Sequence, residues 1–326
     1  MTALQAIPTS GYASYCNFGF ESSYGTAAVG SRTFGHGPKV TISRKNNMER
    51  IFALGSRNSA ISVPKQYEGS ASVEFVMSNG SFFRSIMGTV TDGGGSPYTH
   101  TYAEANTIPS FSILTGTELG SADEVTALVG CKCSTATITA AVNEVVKVRM
   151  ECPYKTETLA TGGLGSQVPE TESPFVFSEG TLQLPSGVTI GNVQSVELTI
   201  NNNTEGVFGL GSRFRTADVE KQREYNVKMT VAFCDVATLL TKFFGNAAAP
   251  SSTTIAPTAT MVLTFTNGLS TTDTRSVVMT FTNVYLDSET LPKDVTEVIK
   301  EDVDGWASTC SGVVYSNNTT TDEGNP

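Results

Sequence analysis

Residues 46–68 read NNMERIFALGSRNSAISVPKQYE, and residues 202–224 read NNTEGVFGLGSRFRTADVEKQRE. Set against each other without a gap, at an offset of 156 residues, they match Asn46-Asn47 to Asn202-Asn203, Glu49 to Glu205 and Phe52 to Phe208. The same offset matches Leu54-Gly55-Ser56-Arg57 to Leu210-Gly211-Ser212-Arg213. Val63, Lys65-Gln66 and Glu68 recur as Val219, Lys221-Gln222 and Glu224, and upstream Val40 recurs as Val196. So many identities in one short window are not a chance event, and the chain reads as a tandem duplication.

Working outward, each repeat is followed by a matching apolar stretch. Phe82, Phe83, Ile86 and Met87 lie at i, i+1, i+4 and i+5 before Gly88. Leu239, Leu240, Phe243 and Phe244 do the same before Gly245. That stripe predicts a short helix in each half whose apolar face packs on a sheet, in preference to a pair of buried strands. Asn79 and Asp235 are candidate N-caps, and the two glycines candidate C-terminal closures.

The remaining segments read as strands: 72–77, 110–115, 134–141 and 144–152 in the first half. In the second they are 226–233, 258–266, 275–285 and, less clearly, 294–302. They are rich in Val, Thr, Ile and Phe and are broken by turns such as Asp92-Gly93-Gly94-Gly95. The expected fold is mainly β, with two tandem β-sandwich or open-barrel domains, each carrying one short helix. Gly162-Gly163-Leu164-Gly165-Ser166 is the linker candidate, dividing the chain into domains 1–165 and 166–326, with residues 316–326 as a frayed tail.

Composition narrows the function. Of 326 residues only 16% are charged, and the net charge is −10. Proteins that grip nucleic acid neutralise phosphates with Lys and Arg, so tight DNA binding is not expected, whereas a surface that repels DNA is. Windows 40–68 and 196–224 hold nine Lys or Arg and seven Asp or Glu, leaving twelve and twenty-four elsewhere. The duplicated element is mixed in sign and the remainder strongly acidic. A mixed-charge loop can simply be a solvated hairpin, yet two copies with one internal sequence suggest one contact surface used twice.

Six dispersed cysteines without a Cys-x-x-Cys pair read as buried free thiols rather than a metal site. The two histidines, His36 and His100, leave little scope for a general base. No nucleophile elbow, zinc-protease helix or phosphate loop is present. Acidic neighbours such as Asp123-Glu124 and Glu301-Asp302 alternate faces on a strand and make no dyad. No catalytic, cofactor or metal site is expected. The sequons at Asn79, Asn202, Asn317 and Asn318 are expected by chance in so Ser- and Thr-rich a chain. The opening residues, MTALQAIPTSGY, have no basic segment leading into an apolar run, so no secretory leader is expected, and no membrane span is expected either.

The order of segments resembles the two-domain tail tube proteins of long-tailed phages and related archaeal viruses. The resemblance runs over residues 11–310 and rests on these segments in order: Tyr24-Gly25; Phe34-Gly35 before the Leu-Gly-Ser-Arg loop; Tyr67-Glu68-Gly69 leading to Val73-Glu74-Phe75; the helix closed by Gly88; Tyr98-Thr99-His100-Thr101; Pro109-Ser110-Phe111-Ser112; and the strand pair of 130–155. The second half repeats this order without a clear equivalent of Tyr98–Thr101. Such a protein is implied to be a virion tail component made in the host cytoplasm. Its implied partners are copies of itself, in stacked homotrimeric, pseudo-hexameric rings, together with terminator, tape-measure and tail-tip proteins. Double-stranded DNA passes through without specific binding. Asn46, Asn47, Leu54, Gly55, Ser56 and Arg57, with their counterparts Asn202, Asn203, Leu210, Gly211, Ser212 and Arg213, are the candidate contacts between subunits or rings. A head decoration or tail-completion ring protein, and a carbohydrate-binding β-sandwich, are the alternatives.

Overall fold

The computed structural model describes residues 14–95, 97–117, 124–161, 170–232, 259–267, 275–291 and 299–317. The first half runs β1 (Ser14–Phe20), β2 (Arg32–Thr33), β3 (His36–Lys45), β4 (Met48–Phe52), β5 (Ser59–Pro64), β6 (Glu68–Val76) and α1 (Phe83–Met87). It continues with β7 (Gly88–Asp92), β8 (Tyr98–Glu104), β9 (Phe111–Thr117), β10 (Glu124–Cys131), β11 (Thr135–Ala141), β12 (Lys147–Tyr154) and β13 (Thr156–Thr161). The second half runs β14 (Gly180–Gln183), β15 (Val193–Asn201), β16 (Glu205–Phe208), β17 (Arg215–Val219), β18 (Glu224–Ala232), β19 (Ala259–Asn267), β20 (Arg275–Thr290) and β21 (Lys300–Asn317).

Two layers result. A five-stranded sheet, β13-β10-β9-β1-β2, belongs to the first half. A twelve-stranded sheet, β14-β19-β20-β21-β18-β15-β11-β12-β6-β3 with β7 and β8 alongside, runs through both halves. The halves are joined by β11 against β15, antiparallel, from Thr135 opposite Asn201 to Ala141 opposite Ser195. The pairing of the second half follows that of the first. β3–β6 and β15–β18 are matching pairs, as are β6–β12 and β18–β21, and β1–β9 and β14–β19.

One difference is continuity. β10 turns at Cys131 before β11, and β12 before β13, whereas β20 and β21 pass through the equivalent corners as single strands of 16 and 18 residues. Bulges at Thr280/Phe281 and Leu286/Ser288 bend the pair. β20 runs past the predicted end at 285, where the bulge at Leu286/Ser288 interrupts the alternation; of the predicted strand 294–302, residues 300–302 open β21, and Ser316 and Asn317, predicted as tail, close it.

Strict alternation explains the layering. In β18, Tyr225, Val227, Met229 and Val231 are buried while Glu224, Asn226 and Lys228 face out. Between the sheets of the first half lies an aromatic core in which Phe18 stacks on Phe34 at 4.4 Å and Phe82 on Phe83 at 4.3 Å. Phe82, Phe83, Ile86 and Met87 are all fully buried, as the helical stripe predicts. The N-cap differs from expectation: Phe82 occupies it without a side-chain bond. Asn79 instead bonds Ser81 through Oδ1, forming a turn one step upstream. Gly88 closes the helix at φ 120°, where a Cβ would meet that of Ala105 at 2.5 Å. The predicted second helix, with Leu239, Leu240, Phe243 and Phe244, lies outside the described residues, as does most of the linker.

Candidate assembly surfaces

The two matching windows form two hairpins, β4–β5 and β16–β17. Most shared identities have a local structural task. Asn47 and Asn203 adopt left-handed backbone, φ 46° and 49°, which Asn tolerates better than other non-glycine residues. Their side-chain amides donate to Gln66 O and Gln222 O at 3.1 and 2.8 Å, clamping each hairpin at its base. Lys65 pairs with Glu49 at 2.6 Å, and Lys221 with Glu205 at 3.0 Å. Gly55 and Gly211 sit at φ 84° and 90° in the tips. The hydroxyls of Ser56 and Ser212 accept from Asn58 N and Phe214 N, both at 3.1 Å, completing the turns.

What those tasks leave unexplained is the tip leucine. Leu54 and Leu210 are completely solvent-exposed, at 106% and 108%. A leucine held in water by a stiff turn is an apolar contact without a partner in the protomer. Around Leu54 the first hairpin also exposes Met48, Ile51, Phe52 and Ile61.

The second hairpin is docked inside the chain. Asp218 is 4% exposed; it pairs with Arg215 at 2.6 Å and accepts from the Tyr24 hydroxyl at 2.6 Å. Burial and that bond push the Tyr24 phenol well above its ordinary range. Lys132, itself buried, reaches Asp218 O at 2.9 Å and Glu220 at 2.6 Å, and Glu220 also accepts from Ile108 N. Asn202 is enclosed at the joint, donating to Ile86 O and Cys133 O and accepting from Arg223. Its counterpart Asn46 is exposed and accepts from Arg213 at 2.8 Å, and Phe214 meets the Tyr67 ring at 5.6 Å. Of the candidate contacts, Asn46, Asn202 and Arg213 are therefore engaged across the chain and Asn47 and Asn203 within their own hairpins, while Leu54, Gly55, Ser56, Arg57, Leu210, Gly211 and Ser212 are exposed. Sequence matching had no means of seeing this, since the two windows are locally alike.

The outer face of the large sheet forms the second surface. Thr135, Thr137, Thr139, Ser195, Glu197, Thr199, Asn226, Lys228, Asp302 and Asp304 alternate outward against the buried set. Its basic residues stand beside carboxylates: Lys39 at 3.6 Å from Glu74, and Arg149 at 3.5 Å from Glu74 and 2.7 Å from Glu151. Lys228 faces Glu197 on one side and Asp304 on the other.

The described cysteines, Cys16, Cys131, Cys133, Cys152 and Cys310, are buried free thiols, as expected. A hydrogen bond with Cys133, then burial, pushes the Cys152 thiol up, and burial pushes Cys16 and Cys310 up to about 12, which keeps them protonated and unreactive. Among the described residues no group of three or more His, Cys, Asp or Glu is placed to hold a metal ion. His100 is a packing residue, bonded to Asp92 at 2.6 Å. The sequons at Asn79, Asn202 and Asn317 are buried.

The described strands thus form an antiparallel wall whose polar face sets its basic residues beside carboxylates, with one free and one docked hairpin. Comparison with curated proteins finds no match. The family model described as phage tail tube protein matches residues 11–305, nearly the whole length, and the chain belongs to that family: it is a structural protein of the phage tail tube.

Proposed function

We propose that three copies of this chain close into a ring of six similar halves, and that such rings stack into a hollow tube through which DNA leaves the virion. The observation that carries this reading is the run β3-β6-β12-β11-β15-β18-β21-β20, eight adjacent strands with one polar face, four from each half. Three such runs give about 24 strands, which at ~4.8 Å each make a perimeter of ~115 Å and a backbone-to-backbone diameter of ~37 Å, wider with strand tilt. A duplex fits within that diameter. The matching strand pairs and twin hairpins support the duplicated, two-domain organisation divided near residue 165.

Threonines, carboxylates and masked cations suit the polar face to the lumen. Phosphates meet a surface that offers no unopposed positive patch, so DNA slides without sticking. Leu54 and Leu210 are the apolar points by which hairpins engage the neighbouring ring. Assembly takes place in the host cytoplasm, with the terminator, tape-measure and tip proteins as end partners. Tail tube proteins are structural and not normally enzymatic, and family membership does not favour a decoration protein or a carbohydrate-binding module. Among the described residues no helix is long and apolar enough to cross a membrane.

Negative-stain electron microscopy over a concentration series tests the reading. Tubes or stacked rings with a lumen of a few nanometres and six-lobed top views are expected. Monomers at every concentration, even with tail-tip extract added as nucleus, would refute it.

A further inference from the structure

Beyond β14 and β7, two edges of the large sheet have no strand beside them among the described residues. One is β3, ten residues long, at the end of the sheet. The other is the last part of β20: β19 stops pairing at Val284, so Ser288–Thr290 is bonded to β21 on one side alone. A long open edge strand is a template for pairing with another chain.

The register inside the chain says where these edges belong. Arg149 faces Glu74, and Asp302 faces Thr230, which lies 156 residues beyond Glu74; Arg149 and Asp302 therefore hold matching places. Thr137 faces Arg149 and Thr290 faces Asp302, so Thr290 matches Thr137 and Glu289 matches Ala136. At the internal seam Ala136 faces Ile200, whose counterpart 156 residues earlier is Arg44.

The chemistry at the two places is complementary. Ala136 and Ile200 are both buried in the seam. Glu289 and Glu301 occupy the equivalent inward side at the open edge, where Glu301 is only 3% exposed and Glu289 is half-buried. Among the described residues no Lys or Arg forms an ion pair with either. A buried carboxylate without a cation is costly in a free protomer and becomes favourable when one arrives. Arg44 lies on the open β3 edge with its side chain 45% exposed, held there by Glu157.

We propose that the seam between copies repeats the seam within the chain, with β3 of one copy continuing the sheet at Ser288–Thr290 of the next and Arg44 seated against Glu289 and Glu301. This rests on the ring reading above and names its interface. The same match places Lys45 opposite Ser288, as Asn201 stands opposite Thr135. Sheet continuation supplies the main-chain bonds, and the arginine fixes the register.

Charge exchange tests the pairing. Arg44→Glu and Glu289→Arg alone are each expected to lower the yield of sedimentable tubes at least tenfold while far-UV circular dichroism stays unchanged. The double variant is expected to recover tubes. Independently, Lys45→Cys with Ser288→Cys in assembled, mildly oxidised tubes should give a covalent ladder ending at the trimer on a non-reducing gel. If wild-type protein forms tubes and Arg44→Glu assembles equally well, or assembled Lys45→Cys/Ser288→Cys tubes give no cross-link, the proposed seam is wrong and the tail-tube reading stands. If wild-type protein forms no rings, both fall.

Discussion

The two hairpins share a base clamp, a salt bridge and a tip, yet one is docked and the other stands free. β16–β17 places Asp218 and Glu220 in a buried network with Arg215, Lys132 and Tyr24. β4–β5 has Ser62 and Pro64 at the matching positions, and every residue along both its strands is exposed. The difference separates two components of the repeat. Identities at matched positions build the hairpin, whereas residues that differ decide whether it is stitched to its own chain or left for another.

The largest expected contrast comes from removing each hairpin in turn. Deleting residues 46–62 should leave a soluble, folded protomer that fails to polymerise. Deleting 202–220 should unfold the protomer, because Lys132 loses both Asp218 and Glu220, and a buried unpaired charge costs several kcal/mol. Thermal unfolding with sedimentation separates the two outcomes, and equal stability of the deletions would erase the distinction between docked and free. Next in size, Asp218→Ala should cost about 3–5 kcal/mol in denaturant unfolding, as expected for breaking a buried pair. Ser62→Ala at the matched exposed site should stay within about 0.5 kcal/mol.

A smaller effect belongs to the open edge. Burial and the bond to Glu289 push the Glu301 carboxyl from 4.5 up to about 7. Its folded value lies above its unfolded one, so its contribution is whole below about pH 4.5 and is lost as pH rises through about 7. The free protomer should therefore lose roughly 1–2 kcal/mol from this group between pH 5 and 8, with some solvent screening allowed for. Glu301→Gln should flatten that part of the profile, and an unchanged slope in the variant would remove the group from the account. Least visible in stability, Leu54→Ser should shift unfolding by less than about 0.5 kcal/mol yet reduce tube yield, a change that light scattering resolves.

Much of this was legible in the sequence because it is local. The gapless repeat announced the twin hairpins, period-two patterning gave the long central strands such as β6, β11, β18 and β19, and the stripe at Phe82, Phe83, Ile86 and Met87 gave the helix. The rest depends on distant partners. Asn46 and Asn202 are the same residue in the same local turn, one exposed and one enclosed by Ile86 and Cys133, and only tertiary placement tells them apart. The β11–β15 seam has no local signature, since its strands look like any other alternating pair. Asn79 has the chemistry of a helix cap but is spent one turn early.

β20 and β21 run without interruption from the part of the large sheet beside β19 and β8 to the part beside β18, and are paired from Ser276–Ser316 to Thr290–Asp302. At ~3.3 Å per residue, the 18 residues of β21 span about 59 Å of backbone. In the ring we propose, a pull along these strands would be carried by covalent chain, with the hydrogen bonds between them loaded in parallel, all sharing the stress, instead of opening one after another like a zip. The first half makes the same corner with separate strands and turns, and in the proposed tube it is the half expected to yield first when the tail bends.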